Sequence, residues 1–329
     1  MTISLAMYDK SLAHIGKRLD ALGLDVEIST FSKDGTFQHK GRRVAPAEVS
    51  VDYMWLTSHL NPDGFRDGAF DLCLACKGIK VLQTFNAGLD HPFYKKLSDK
   101  GTRICNSSAQ GVAIAEYTLG QVLGVLQPIE QQRDLQRSLM WQQTPFREIS
   151  QTRWLVIGFG PIGQEIARRV QAFGAPVSVI RRSPAPSPLA TRVGTSADLA
   201  KFLPEADVVV LACPLNETTR GMVDAGFFAN VRPGTILVNI ARGGLVDEAA
   251  LIVALDGGKL ETAILDVFTQ EPLPTGNPLW THPKVRLTSH TSFAGNGLRG
   301  RGEQTFLDNI QRFAKGQPLI NEFDPRNFA

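Results

Sequence analysis

Between residues 154 and 290 the chain repeats one pattern: a short apolar run, then a stretch whose apolar positions fall at helical spacing. The runs are Trp154–Ile157, Val177–Ile180, Val208–Ala212, Thr235–Ile240, Thr262–Val267 and Val285–Ser289. They are rich in Val, Ile and Leu without polar alternation, as strands buried on both faces of a parallel sheet are. Alternating β and α signals predict a doubly wound α/β domain. The first hundred residues alternate in the same way, with runs at Ile3–Met7, Val26–Thr30, Val51–Leu56, Val81–Phe85 and Arg103–Asn106. They predict a second, smaller α/β unit. The apolar stretch Ser108–Leu126 reads as a long helix bridging the two units, and Ser183–Pro188, with alternating prolines, as an extended surface loop. No internal repeat is present.

Length and composition narrow the class. At 329 residues the chain is too long for one small core, so two domains are expected. It is 43% hydrophobic and 20% charged, with a net charge of only +3. That balance gives no basis for a nucleic-acid or membrane surface. No apolar stretch is long and uncharged enough to span a bilayer. The segment Met1–Asp9 lacks the basic and apolar regions of a secretory signal. Four cysteines are too few for a disulfide framework. Cys73 and Cys76 form a C-x-x-C, but no second pair completes a metal site, so core packing is the expected role and no metal is expected. Reduced thiols suit a cytoplasmic protein.

Chemistry enters at Gly158-Phe159-Gly160-Pro161-Ile162-Gly163. A G-x-G-x-x-G alone is weak evidence, but this one follows an apolar strand and opens a helix. In that context it is the dinucleotide-binding turn. The first glycine allows a tight turn, the second lets backbone approach a pyrophosphate, and the third lets helix and strand pack closely. The helix N-terminus then offers unpaired N–H groups and partial positive charge to the phosphates.

The next strand ends in Arg181-Arg182-Ser183, where an NAD enzyme places an acid for the adenosine ribose hydroxyls. A carboxylate repels a 2′-phosphate; two guanidinium groups and a hydroxyl bind one. Position therefore favours NADP over NAD, and over a merely solvated basic turn.

Ligands of open α/β sheets bind beyond the carboxyl ends of the strands. The later strands end in Cys213-Pro214, with Thr219 close behind, in Ile240-Ala241-Arg242, in Asp266 with Glu271 following, and in His290. An Arg, a Glu and a His thus arrive on the cofactor's edge. Each alone has a bland reading as surface charge, loop acid or core histidine. Together they suit carbonyl reduction. Hydride arriving at a ketone carbon leaves negative charge on oxygen, which a protonated histidine quenches as general acid. A neighbouring carboxylate fixes such a ring and favours its charged form. An arginine binds a substrate carboxylate through paired hydrogen bonds.

The stretches Val238–Glu248, which contains Asn239-Ile240-Ala241-Arg242-Gly243-Gly244, and Leu265–Leu273, which contains Asp266-Val267-Phe268-Thr269-Gln270-Glu271-Pro272, resemble the signatures of the D-isomer-specific 2-hydroxyacid dehydrogenases. The resemblance extends over essentially the whole chain. It implies a Rossmann-type NAD(P)-binding domain, residues 107–295, inserted into a flavodoxin-like substrate domain of residues 1–106 and 296–329, and assembly as a homodimer. It implies Arg242 as substrate ligand and electrostatic catalyst, Glu271 as partner of the histidine, His290 as acid/base, and Asp266 beside the nicotinamide amide. The turn Phe85–Asp90 resembles the loop whose N–H groups, at Ala87 and Gly88, hold the substrate carboxylate. Residues 57–68 and Phe293 are expected to line the pocket.

Two departures matter. Thr291–Gly297 stands where the commoner pattern has a short Ile-Ala-Gly, so Phe293 is expected to reshape the pocket. Arg181 replaces the acid. The combination is most similar to NADP-dependent glyoxylate/hydroxypyruvate reductases, and implies reduction of small 2-oxo acids to D-2-hydroxy acids. Ala87 stands where phosphite-oxidising relatives carry lysine, and Glu271 where formate-oxidising ones carry glutamine. Trp141 resembles a tryptophan near the dimer interface of such relatives, though a helix-packing role is equally open. An NAD-dependent dehydrogenase of another substrate and a nucleotide-sensing binding protein of the same fold remain the alternatives.

Overall fold

The computed structural model describes residues 2–328 and divides into two compact units, residues 1–109 with 296–329, and residues 110–295. In the first, β1 (Ile3–Tyr8), α1 (Asp9–Asp20), β2 (Val26–Phe31), β3 (Phe37–His39), β4 (Arg42–Val44), β5 (Ser50–Trp55), α2 (Arg66–Ala75), β6 (Gly78–Gln83), α3 (Pro92–Asp99) and β7 (Arg103–Cys105) follow in order, and the helix Leu298–Ala314 completes the unit. The sheet runs β4-β3-β2-β1-β5-β6-β7. Its parallel part has the flavodoxin-like order, which changes direction between β1 and β5.

The second unit contains α4 (Gly111–Leu126), α5 (Ile129–Arg137), β8 (Trp154–Ile157), α6 (Pro161–Ala172), β9 (Val177–Ile180), β10 (Arg192–Gly194), α7 (Leu199–Phe202), β11 (Val208–Leu211), α8 (Ala225–Asn230), β12 (Thr235–Asn239), α9 (Glu248–Asp256), β13 (Leu260–Leu265) and β14 (Val285–Leu287). Its seven strands lie in the order β10-β9-β8-β11-β12-β13-β14, all parallel, with the reversal between β8 and β11. This is the Rossmann arrangement.

Alternate residues of each strand feed the two faces. Leu155, Ile157, Val209, Leu211, Leu237 and Leu265 pack with residues of α7, α8 and α9. Trp154, Val156, Val208, Val210, Ile236 and Ile264 pack with α4 and α6. Both residue sets are apolar, which is why the strands read as unbroken apolar runs.

The structure adds β10 and the antiparallel hairpin of β3 and β4, none of which the apolar pattern predicts. All are only three residues long, and β4 (Arg42-Arg43-Val44) and β10 are edge strands, polar because solvent covers one side. β6 starts earlier than expected because Gly78 and Ile79 pair with Ser50 and Val51. β14 stops at Leu287: the N–H of Thr288 donates to Leu265, but its side chain turns to Asp266. α4 begins at Gly111 rather than Ser108. Cys73 and Cys76 are buried free thiols in and just after α2, with Cys73 Sγ 3.3 Å from Met54 Sδ, and burial pushes the Cys76 thiol up to about 12. Among the described residues no single helix is long and apolar enough to cross a membrane.

Candidate active site

The glycine turn sits at the reversal of the second sheet. Gly158 N–H donates to Ile180 at 2.8 Å, and Ala212 N–H donates to Ile157 at 2.7 Å, so β8 leaves the sheet wedged between its neighbours. Gly158 has φ +100°, and a Cβ there would lie 2.5 Å from the backbone of Ala212 and Cys213. Only glycine satisfies both conditions. A Cβ on Gly163 would overlap the Gly158 carbonyl, so helix and strand approach as the motif requires. A Cβ on Gly160, in contrast, would meet nothing within 4 Å. This is the face a pyrophosphate can approach, at the N-terminus of α6, where Pro161 occupies the first helical position and Ile162 the second.

Phe159 is buried, and the Arg181 guanidinium stands 5.6 Å from its ring centroid, within cation–π range. The Arg181 N–H donates to Gly194 of β10 at 3.0 Å, so both ends of this half-buried residue are held. Arg182 and Ser183 follow, exposed. The end of β9 therefore presents cations and a hydroxyl, and no acid. Cradle and cations together fit a dinucleotide carrying a 2′-phosphate.

Beyond β11 lie Cys213 and Pro214. Burial pushes the Cys213 thiol up to about 11, so it is no nucleophile at neutral pH. The Thr219 hydroxyl, expected at the cofactor, donates to the Pro214 carbonyl at 2.7 Å and accepts from Asn216 N–H at 2.9 Å, closing the loop on itself. Among the described residues no cluster of His, Cys, Asp and Glu could hold a metal.

Arg242 leaves the end of β12 after the buried Ile240 and Ala241. The turn is clamped by Asn239, whose side chain donates to the Arg242 carbonyl at 2.9 Å and accepts from Ala241 N–H at 3.1 Å. The Arg242 guanidinium donates to the Ala241 carbonyl at 2.7 Å. A Cβ on Gly243 would overlap the backbone of Phe268 and Thr269, so the loop carrying Arg242 lies directly on the loop leading to Glu271. One Glu271 oxygen accepts from Phe268 N–H at 2.9 Å; the other lies 2.7 Å from His290 Nδ1. The histidine ring is partly exposed, with its Nε2 edge away from the carboxylate. Phe293 meets it edge-on, ring centroids 6.1 Å apart. Arg242, Glu271 and His290 thus emerge from successive strand ends of one sheet edge.

Asp266, expected beside the nicotinamide amide, is fully buried just after β13. Its carboxylate accepts from the Thr288 hydroxyl at 2.6 Å and from the N–H groups of Thr291 and Ser292 at 2.8 and 3.0 Å. The structure therefore spends this side chain on the loop carrying His290. Asn239 and Thr288 escape sequence reasoning because polar residues at strand ends look alike until their partners are known.

Ala87 and Gly88 belong to the first unit, in the turn after β6. Asn106 donates to the Ala87 carbonyl at 2.7 Å, and Ser107 N–H to Asn86 at 2.8 Å. Among the described residues no acceptor meets the N–H groups of Ala87 and Gly88. Residues 57–68 follow β5 in the same unit. Trp141 packs into no helix: it stands fully exposed after α5, with Leu139, Met140 and Phe146 also exposed.

Residues 119–292 match the family model described as D-isomer specific 2-hydroxyacid dehydrogenase, NAD binding domain. The glyoxylate/hydroxypyruvate reductase A of Klebsiella pneumoniae (strain 342) is 30% identical over 257 residues, 75% of this chain and 81% of the relative. Among solved structures, the D-isomer specific 2-hydroxyacid dehydrogenase from Xanthobacter autotrophicus Py2, in complex with NADPH and MES, superposes with a TM-score of 0.77 at 28% identity, covering 100% of both chains. A family protein from Aeromonas salmonicida gives 0.75 at 27% identity, covering 98% of this chain and 99% of its own. Fold, strand-end residues and relatives agree: the chain belongs to the D-isomer-specific 2-hydroxyacid dehydrogenase family.

Proposed function

We propose that this protein reduces small 2-oxo acids, with glyoxylate and hydroxypyruvate as first candidates, to D-2-hydroxy acids using NADPH. The observation that carries this reading is the pairing of Arg181 and Arg182 with the Arg242, Glu271 and His290 edge. The names of the relatives, a glyoxylate/hydroxypyruvate reductase and an NADPH complex, support it.

The Gly158–Gly163 turn and the N-terminus of α6 would hold the pyrophosphate, and Arg181, Arg182 and Ser183 the 2′-phosphate. Cys213, Pro214, Ile240 and Ala241 would border the remainder. Bound there, the reduced nicotinamide supplies a hydride. The N–H groups of Ala87 and Gly88 are our proposed carboxylate donors, with Arg242 as the charged one. Glu271 accepts from Nδ1–H and so orients the ring, leaving the proton on Nε2 to be donated to the developing alkoxide. Arg242 offsets negative charge on that oxygen during the transfer. Oxidation of the hydroxy acid would use the neutral ring as base.

The His290→Ala variant tests this reading against a panel of 2-oxo acids. Reduction with NADPH is expected to fall by roughly 100-fold or more, from loss of the general acid, with NADPH binding unchanged. Equal turnover would refute the role of His290.

We further propose a homodimer built on the exposed apolar segment around Leu139, Met140, Trp141 and Phe146. The four free cysteines fit a cytoplasmic setting.

A further inference from the structure

His290 adopts φ +49°, a left-handed backbone that side chains other than glycine rarely take. Something must hold it there, and Glu271 touches only the ring. The backbone is held from Asp266. The Asp266 carbonyl accepts from His290 N–H at 2.8 Å, and its carboxylate accepts from the two following N–H groups, those of Thr291 and Ser292. One buried residue therefore grips the chain at the histidine and just after it.

The carboxylate is in turn held from further away. The Thr288 hydroxyl donates to Oδ1 across a 2.6 Å contact. With its proton committed, Thr288 Oγ1 must accept from its other partner. That partner is the Tyr117 hydroxyl on α4, 2.7 Å away. Tyr117 is partly buried against the α4 and α6 side of the sheet, and burial keeps its hydroxyl protonated. The chain of donors runs one way, and each bond polarises the next.

We propose that Tyr117 and Thr288 are positioning residues for the reduction, holding the His290 turn in its left-handed form through Asp266. This rests on the reading of His290 as general acid. Without the Thr288 hydroxyl, Asp266, which has no exposed surface, loses a donor at Oδ1, and the carboxylate can no longer hold the Thr291 N–H in place. The ring then shifts relative to substrate while the glycine turn and Arg181 stay where they are. The signature is a fall in kcat without a fall in NADPH affinity.

The test compares Thr288→Val, Thr288→Ser, Tyr117→Phe and the Val/Phe double variant with His290→Ala in parallel. Loss of near-attack geometry is expected to cost Thr288→Val about tenfold or more in kcat, with the NADPH Kd within about twofold of wild type. Thr288→Ser restores the hydroxyl and is expected within about twofold of wild-type kcat. Tyr117→Phe is expected to lower kcat by about two- to fivefold, and to add nothing in the Thr288→Val background, because it acts only through that hydroxyl. Wild-type kcat in Thr288→Val, equal losses in Val and Ser, or additive losses in the double variant each overturn the proposal. If Thr288→Val does not fold, Tyr117→Phe alone decides by the same split between kcat and Kd. His290→Ala separates the two claims. Its full activity refutes the histidine's role, whereas an inactive His290→Ala beside an active Thr288→Val refutes only the positioning.

Discussion

Arg181 carries a choice between two cofactors that differ by one phosphate. Its guanidinium is held over Phe159 and its backbone is bonded to β10, so little freedom remains to be lost on binding an anion. Arg181→Ala is expected to lower kcat/KM for NADPH about tenfold or more, the worth of one charge-assisted bond, and to leave NADH nearly unchanged. Steady-state assays with both cofactors check this; an equal loss with each would mean that Arg181 supports the fold rather than the phosphate. The position of this residue at the end of β9 was legible in the sequence because it is set by distance along the chain from Gly158. The same holds for Arg242, Glu271 and His290, each set by the strand it follows. The partners of Asp266 were not legible in this way. Its place after β13 is set by spacing, but that its oxygens accept from Thr288, Thr291 and Ser292 is written only in the fold.

Strands and helices follow the same division. Val208–Leu211 and Trp154–Ile157 were readable because burial on both faces leaves only apolar residues. The hairpin of β3 and β4 was not, since two three-residue strands, one of them at the sheet edge, carry little apolar signal. Between elements, Asp207 ties the entry to β11 to that of β8: it accepts from the N–H and guanidinium of Arg153, 2.9 and 3.0 Å away, and is paired with Arg232. Burial opposes its ionisation, but those hydrogen bonds and charges outweigh it and hold its pKa below the ordinary value. A depressed carboxylate stabilises the fold above its unfolded pKa of about 3.9, and the gain is lost as pH falls through the folded value. Asp207→Asn is therefore expected to lower the urea midpoint at pH 7 and to flatten its decline below about pH 4. Parallel acid limbs in variant and wild type would exclude this contribution.

Taken as a whole, the chain makes two sheets of different strand order, and only one carries the glycine turn. It also leaves Trp141 and Leu139 in water, a cost that a second copy would remove. On the proposed dimer, changing both to Glu is expected to give the sedimentation coefficient of a monomer where the unchanged protein gives that of a dimer, with the unfolding midpoint of the monomer little changed. An unaltered sedimentation coefficient would refute an interface built on this segment.

The alternation of apolar runs and helical stretches was enough to specify two doubly wound units, the nucleotide turn and the order in which Arg242, Glu271 and His290 reach one edge. Those are consequences of spacing, and spacing is written in the chain. The partner of each buried polar group is not. Thr288 meets Tyr117 across 171 residues of sequence and takes the direction of its proton from the carboxylate of a third residue, Asp266. Which lone pair receives which proton depends on the folded positions of all three, so the holding of the His290 turn became readable only once the strands were in place.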